Sequence, residues 1–217
     1  MSDALIVQEA LVETATADRR ILRSRRMLRE AFAALIEARG LDGFTVSELT
    51  ERADLNRGTF YAHYKDKEDL LRSFEDEIIE GLLDFEEKLK GISLKEFLLL
   101  AARGTPPRVA VELFDTLREH GTLLRVLLGP RGDAAFQARL RDTACTNFVR
   151  AVLHKKYRDN PSALTDYYIA YHASANLGLI QAWLERGMRE DSQEMAHIML
   201  AVLFLKPGDP IVLKKKG

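Results

Sequence analysis

"FTVSELTERADLNRGTFYAHYKDKEDLL", residues 44–71, contains three helix starts in close succession. Thr45-Val46-Ser47-Glu48 has the spacing of a capping box, in which the Thr45 hydroxyl accepts from the Glu48 N–H and the Glu48 carboxylate reaches back to the Thr45 N–H. Phe44 before the cap and Leu49 after it suit a hydrophobic staple, so a short helix is predicted over 45–52, ending near Ala53-Asp54. Asn56 is a good N-cap, and Leu55 with Phe60 supplies a second staple, which predicts another short helix over 56–63. Asp66 marks the third start, with Glu68 and Asp69 in a first turn where the helix dipole favours negative charge. From there Leu71, Phe74, Ile78, Leu82, Phe85 and Leu89 recur at three- and four-residue steps, the stripe of a long helix.

Upstream, residues 19–38 read as one helix. Ile21, Leu28, Phe32 and Leu35 fall on one face, with Ala31 and Ile36 beside it, and Gly40 ends it. Two short helices joined by a tight turn and following a longer helix have the spacing of a helix-turn-helix. In that unit the second short helix can lie in the major groove with its N-terminal side chains at base edges. Phe60 and Tyr64, four apart, suit its apolar back; Arg57, Gly58, Thr59, Ala62 and His63 occupy much of the rest. Gly58 costs up to about 1 kcal/mol against Ala inside a helix, less in its first turn, and its missing side chain allows a close approach.

Charge agrees with this. Residues 19–67 hold eleven Lys/Arg against seven Asp/Glu, a local balance of +4 in a chain whose net charge is -1. Arg19, Arg20, Arg23, Arg25, Arg26 and Arg29 crowd the first helix. A local positive field of this kind attracts phosphate, which the total charge would have hidden.

The 217 residues fit one large domain or two modest ones, and 47% apolar composition suffices for a core. A single cysteine, Cys145, excludes an intrachain disulfide and agrees with a cytoplasmic setting; its position suggests a small buried packing residue. No leader pattern opens the sequence, and no apolar run approaches the ~18 residues of a membrane span. Strand signals are absent, so the fold class is all-α, with about nine to ten helices. The expected organisation is a mobile arm over 1–17, a helix-turn-helix domain over 18–67, a helical regulatory and dimerisation domain over 68–205, and a flexible basic tail over 206–217.

Six prolines, at 106, 107, 130, 161, 207 and 210, punctuate the rest. Further helices are predicted over 93–103, 106–119, 120–128, 133–157, 163–187 and 191–205. Ala173, Ala175, Gly178 and Ala182 form a small-residue face; Leu177, Ile180, Trp183 and Leu184 supply bulk; Met195, Ile198, Met199 and Val202 make a stripe on the last helix. Helix 163–187 is apolar around much of its circumference, so more than one of its faces requires burial. Phe97, Phe114, Phe136, Phe148, Tyr167, Tyr168, Tyr171, His172 and Trp183 are candidate walls for a ligand cavity, with Phe114, Phe148, Tyr168, Tyr171 and His172 preferred. The five histidines form no His-x-x-x-His pair, and there is no Gly-rich phosphate loop and no Gly-x-Ser-x-Gly. Nothing calls for catalysis, a cofactor or a metal.

Residues 44–71 resemble the DNA-binding signature of the TetR family of transcriptional regulators, in order, spacing and residue class. Tyr61, the aromatic Tyr64 and Lys67 at the opening of the next helix are its characteristic features. "YHASANLGLIQAWLERGM", 171–188, also looks like a late helix of one subgroup. The resemblance implies that Thr45 and Ser47 lie near phosphate, that Arg57, Gly58 and Thr59 face base edges, and that Tyr61, His63 and Lys67 contact phosphate. Arg57 is the foremost candidate for direct readout, since guanidinium pairs bidentately with guanine O6 and N7. It further implies a homodimer built on the last two helices through Ala175, Gly178, Leu179, Ala182, Trp183, Met195 and Met199. The partners would be a palindromic double-stranded operator and a small apolar or amphipathic ligand that releases a repressor. Two alternatives stand beside this: a regulator controlled by a protein partner without a small-molecule pocket, and a helical module that does not bind DNA.

Overall fold

In the computed structural model, residues 2–91, 96, 99–100, 103–152 and 162–204 are described. Among them all regular secondary structure is helical: α1 (Ser2–Arg39), α2 (Val46–Arg52), α3 (Arg57–Tyr61), α4 (Lys67–Lys90), α5 (Arg108–Glu119), α6 (Gly121–Leu127), α7 (Ala134–Leu140), a π turn (Arg141–Cys145), α8 (Thr146–Val152), α9 (Ala163–Glu185) and α10 (Ser192–Phe204). The chain divides into two compact units, Met1–Phe74 and Glu75–Gly217.

The first unit is built around aromatic rings. Phe32 of α1 meets Phe44 edge-on, centroids 5.4 Å apart, and Phe74 of α4 at 6.1 Å. Leu28, Leu35, Ile36, Leu49, Phe60 and Leu70 complete the core, each buried. Because Leu70 and Phe74 belong to it, the unit ends at Phe74 and not at residue 67: the first two turns of α4 are needed to close the core. Two other expectations change. Helix α1 begins at Ser2, so the segment 1–17 read as an arm continues the helix. Ile21, placed on the buried face, is 46% exposed, since the packed stripe starts a turn or two later at Leu28. Gly40 closes α1 with φ 78°, its N–H donating to the Ile36 carbonyl at 2.8 Å.

In the second unit, Ile78, Leu82 and Phe85 of α4, Leu113, Phe114 and Leu117 of α5, Leu123, Leu124 and Leu127 of α6, and Phe136 and Leu140 of α7 are buried. Phe114 meets Trp183 of α9 edge-on at 5.4 Å. The indole N–H donates to the Glu190 carbonyl at 3.1 Å, and Arg118 lies over the same ring while donating to the carbonyls of Met188 and Glu190. At the helix starts, Pro107 precedes α5, Asp133 accepts from the N–H groups of Ala135 and Phe136, and Ser162 accepts from the Thr165 N–H. The helix expected over 133–157 is interrupted by the π turn. Most of 93–103, Phe97, the side chain of Phe148 and the tail 206–217 lie outside the described residues.

Candidate nucleic-acid interface

Helix α2 is fixed at its start by the full capping box. The Thr45 N–H donates to Glu48 Oε2 at 2.8 Å, and the Glu48 N–H donates to the Thr45 hydroxyl at 3.3 Å. Arg39 closes the arrangement by donating to Glu48 Oε1 at 2.6 Å, which ties the end of α1 to α2. These bonds, the one from the Thr45 N–H first and Arg39 next, lower the Glu48 carboxyl from 4.5 to about 2. Thr45 and Ser47 remain exposed at the helix start.

The turn from α2 to α3 passes through Asp54 at φ 52°, a left-handed conformation that Asp tolerates better than most side chains. The Leu55 N–H bonds the Thr50 carbonyl at 2.9 Å. Asn56 then caps α3, its Oδ1 accepting from the Gly58 N–H at 2.7 Å. The single buried anchor of α3 is Phe60, fully inaccessible, with the rings of Tyr61 and Tyr64 at 5.3 and 5.6 Å. Everything in front of that anchor is open: Arg57, Gly58, Thr59, Tyr61, Ala62 and His63 are exposed. A methyl group at Gly58 would meet Asn56 Oδ1 at 3.3 Å, a tight approach to the oxygen that caps the helix.

Lys67 departs from its expected role. Its ammonium donates to the Leu41 carbonyl at 2.6 Å and the Phe44 carbonyl at 3.4 Å, and lies 4.9 Å from the Phe44 ring centroid. It clamps the α1–α2 loop to α4 and is not presented to solvent as a phosphate ligand. The arginine cluster also splits. Arg25 and Arg29 lie over the Phe74 ring at 5.7 and 5.2 Å, whereas Arg23 and Arg26 are exposed. The stems of the first pair cover apolar surface, as long cationic side chains often do.

The described members of the expected ligand walls differ in burial. Phe114 and Phe136 are core residues, while Tyr167, Tyr168 and Tyr171 are 75%, 43% and 70% exposed. His172 lies against the rings of Tyr168 and Tyr171, and burial lowers its pKa from the ordinary value. The dimer set divides as well. Ala175, Gly178 and Ala182 are exposed on one stripe of α9 and Leu179 is half-buried at its edge, but Trp183, Met195 and Met199 are buried within the unit. The spacing of apolar residues had shown that they are buried, not against which neighbour.

Two family models match the chain: "Bacterial regulatory proteins, tetR family" over residues 28–74, and "Transcriptional regulator C-terminal region" over residues 104–204. The uncharacterized HTH-type transcriptional regulator YxbF of Bacillus subtilis strain 168 is 42% identical over 57 residues, 26% of this chain. That alignment spans only 15% of the length of YxbF. Among solved structures, the regulator FadR from Bacillus subtilis in complex with stearoyl-CoA superposes with a TM-score of 0.55 at 16% identity, covering 82% of this chain and 96% of its own. A TetR transcriptional regulator from Streptococcus agalactiae 2603V gives 0.50 at 16% identity, covering 88% and 98%. At these identities the likeness is one of fold.

Proposed function

The chain belongs to the TetR family of bacterial transcriptional regulators, and from that premise we propose that it is a dimeric repressor that binds a palindromic operator through α3 and is released by a small amphipathic ligand. The observation that carries the reading is the front of α3. Arg57, Gly58, Thr59 and Tyr61 stand exposed on a helix pinned from behind by Phe60, with His63 exposed just past its end, in the stretch 19–67 that holds eleven Lys/Arg against seven Asp/Glu. Arg57 supplies base readout; Thr45, Ser47, Tyr61 and His63 hold phosphates and set the register of docking.

The dimer uses the exposed stripe of α9. Gly178 stands in the interior of this helix, where glycine costs about 1 kcal/mol against alanine. A methyl group there would meet nothing within 4 Å among the described residues. The reason for glycine therefore lies outside the protomer, in the close approach of a second α9. Leu164, Tyr167 and Tyr171 extend the same face and are 70% or more exposed. A two-fold pairing presents two copies of α3 to two half-sites about 34–36 Å apart.

Ligand release draws support from the fold neighbour FadR, whose structure contains stearoyl-CoA, and from α4, which runs unbroken from Lys67 to Lys90. Helix α4 contributes buried residues to each unit, so a ligand that shifts it in one unit acts on the other. A hundredfold loss of operator affinity requires about 2.7 kcal/mol of preferential binding to the released state. Fluorescence anisotropy of a labelled operator tests the reading: the chain binds with salt-dependent affinity and loses it when Arg57 is replaced. Equal binding by wild type and Arg57→Ala contradicts it.

A further inference from the structure

In the second unit a cleft of about 410 Å³ opens between the π turn with α8 on one wall and α9 on the other. Ile169 and Ala173 of α9 give it an apolar floor, and among the described residues its charged rim consists of Arg141, Asp142, Arg150 and Asp166. Among the described residues, none of the aromatic side chains expected to line a ligand site belongs to it. The π turn is an independent mark. It adds a residue to a helix that otherwise continues from Ala134 to Val152, and such insertions often occur at functional sites because they widen the helix and re-aim its side chains.

The four charges are not equivalent. Arg141 Nε donates to Asp142 Oδ1 at 2.8 Å, so this pair is neutralised on its own wall. Among the described residues, neither Arg150 on α8 nor Asp166 in the first turn of α9 has an ion-pair partner, and the two reach the cleft from different helices. A purely anionic guest would satisfy Arg150 and face the carboxylates of Asp142 and Asp166. A purely cationic guest would leave Arg150 uncompensated, and an apolar one would displace water from both charges without replacing it. A guest with opposite charges at its two ends and an apolar middle matches the rim and the floor together.

We propose that this cleft binds a small zwitterion with an apolar body, its anionic end on Arg150 and its cationic end on Asp166. The assignment rests on the ligand-responsive reading above and names the chemical class of the ligand. Calorimetry of the full chain without DNA tests it, using L-leucine, L-phenylalanine and 6-aminohexanoic acid, each beside its N-acetylated and carboxamide forms. At least one zwitterion is expected to bind with a Kd below about 1 mM, and both of its blocked forms to bind at least about tenfold more weakly, as loss of a charged hydrogen bond requires. Arg150→Ala and Asp166→Ala each lose at least the same factor; Arg150→Gln and Asp166→Asn replace them if either alanine variant misfolds. Absence of binding by all three zwitterions, or a loss of less than tenfold on blocking either end or replacing either residue, overturns the assignment. Operator release is read separately by anisotropy. A zwitterion that binds by these criteria without releasing DNA leaves the site standing and removes the release mechanism. Release by an unrelated ligand, with no zwitterion bound, does the reverse.

Discussion

Arg57 stands in solvent at the first position of α3, with no carboxylate paired to it among the described residues. Arg57→Ala should weaken operator binding by about 1–3 kcal/mol and relax the sequence preference at one base position, leaving thermal stability unchanged; anisotropy and a melt check both parts. Lys67 should behave in the opposite way. Its ammonium holds the Leu41 and Phe44 carbonyls, so Lys67→Met should destabilise the first unit by about 1–3 kcal/mol in denaturant unfolding. If Lys67 served phosphate alone, the salt slope of DNA binding would fall and stability would hold. Spacing and residue class identified both positions, but a lysine that opens a helix has the same sequence signature whether its long stem turns outward or back over a neighbouring loop. Cys145 was readable as a packing residue, and burial pushes its thiol up to about 12 despite the nearby Arg141. A disulfide-exchange reagent at neutral pH should therefore label it only when the protein unfolds.

At the scale of elements, the starts of α2, α3 and α4 were legible because each depends on a side chain bonding within three residues of itself. Thr45, Asn56 and Asp66 all cap as their spacing requires. The capping box also makes a pH prediction. The Glu48 carboxyl titrates near 4.5 when free and at about 2 when folded. Its contribution is therefore complete above about 4.5, fades as pH falls, and is lost as pH passes about 2. Glu48→Gln should flatten the stability of the first unit across that window in a pH series of thermal melts; an unchanged slope would contradict the assigned bonds. The π turn was not legible. One residue inserted into a helix leaves hydrophobic residues near their expected spacing and carries no marker such as proline or glycine. The start of α1 was missed for a related reason, since residues before Asp18 have weak periodicity and helix there is not announced by a buried stripe.

For the whole molecule, the all-helical class, the helix-turn-helix and most helix positions followed from local signals, whereas the division of buried residues between core and interface did not. Helix α9 is apolar nearly all round, so composition could not tell Trp183, which packs on Phe114, from Ala175 and Gly178, which face outward. The open space around Gly178 makes the distinction testable. Gly178→Leu should fold normally and run as a monomer in light-scattering chromatography at micromolar concentration, with operator affinity falling as the paired reading heads separate; a stable dimer would move the interface elsewhere. Selection of bound sequences from a random duplex pool with the purified full chain tests the central claim most directly. The expected result is an enriched two-fold repeat whose half-sites are centred about one helical turn apart, with enrichment abolished by Arg57→Ala. An unenriched pool, or the same motif recovered by the Arg57→Ala variant, would contradict the assignment of α3 as the reading element.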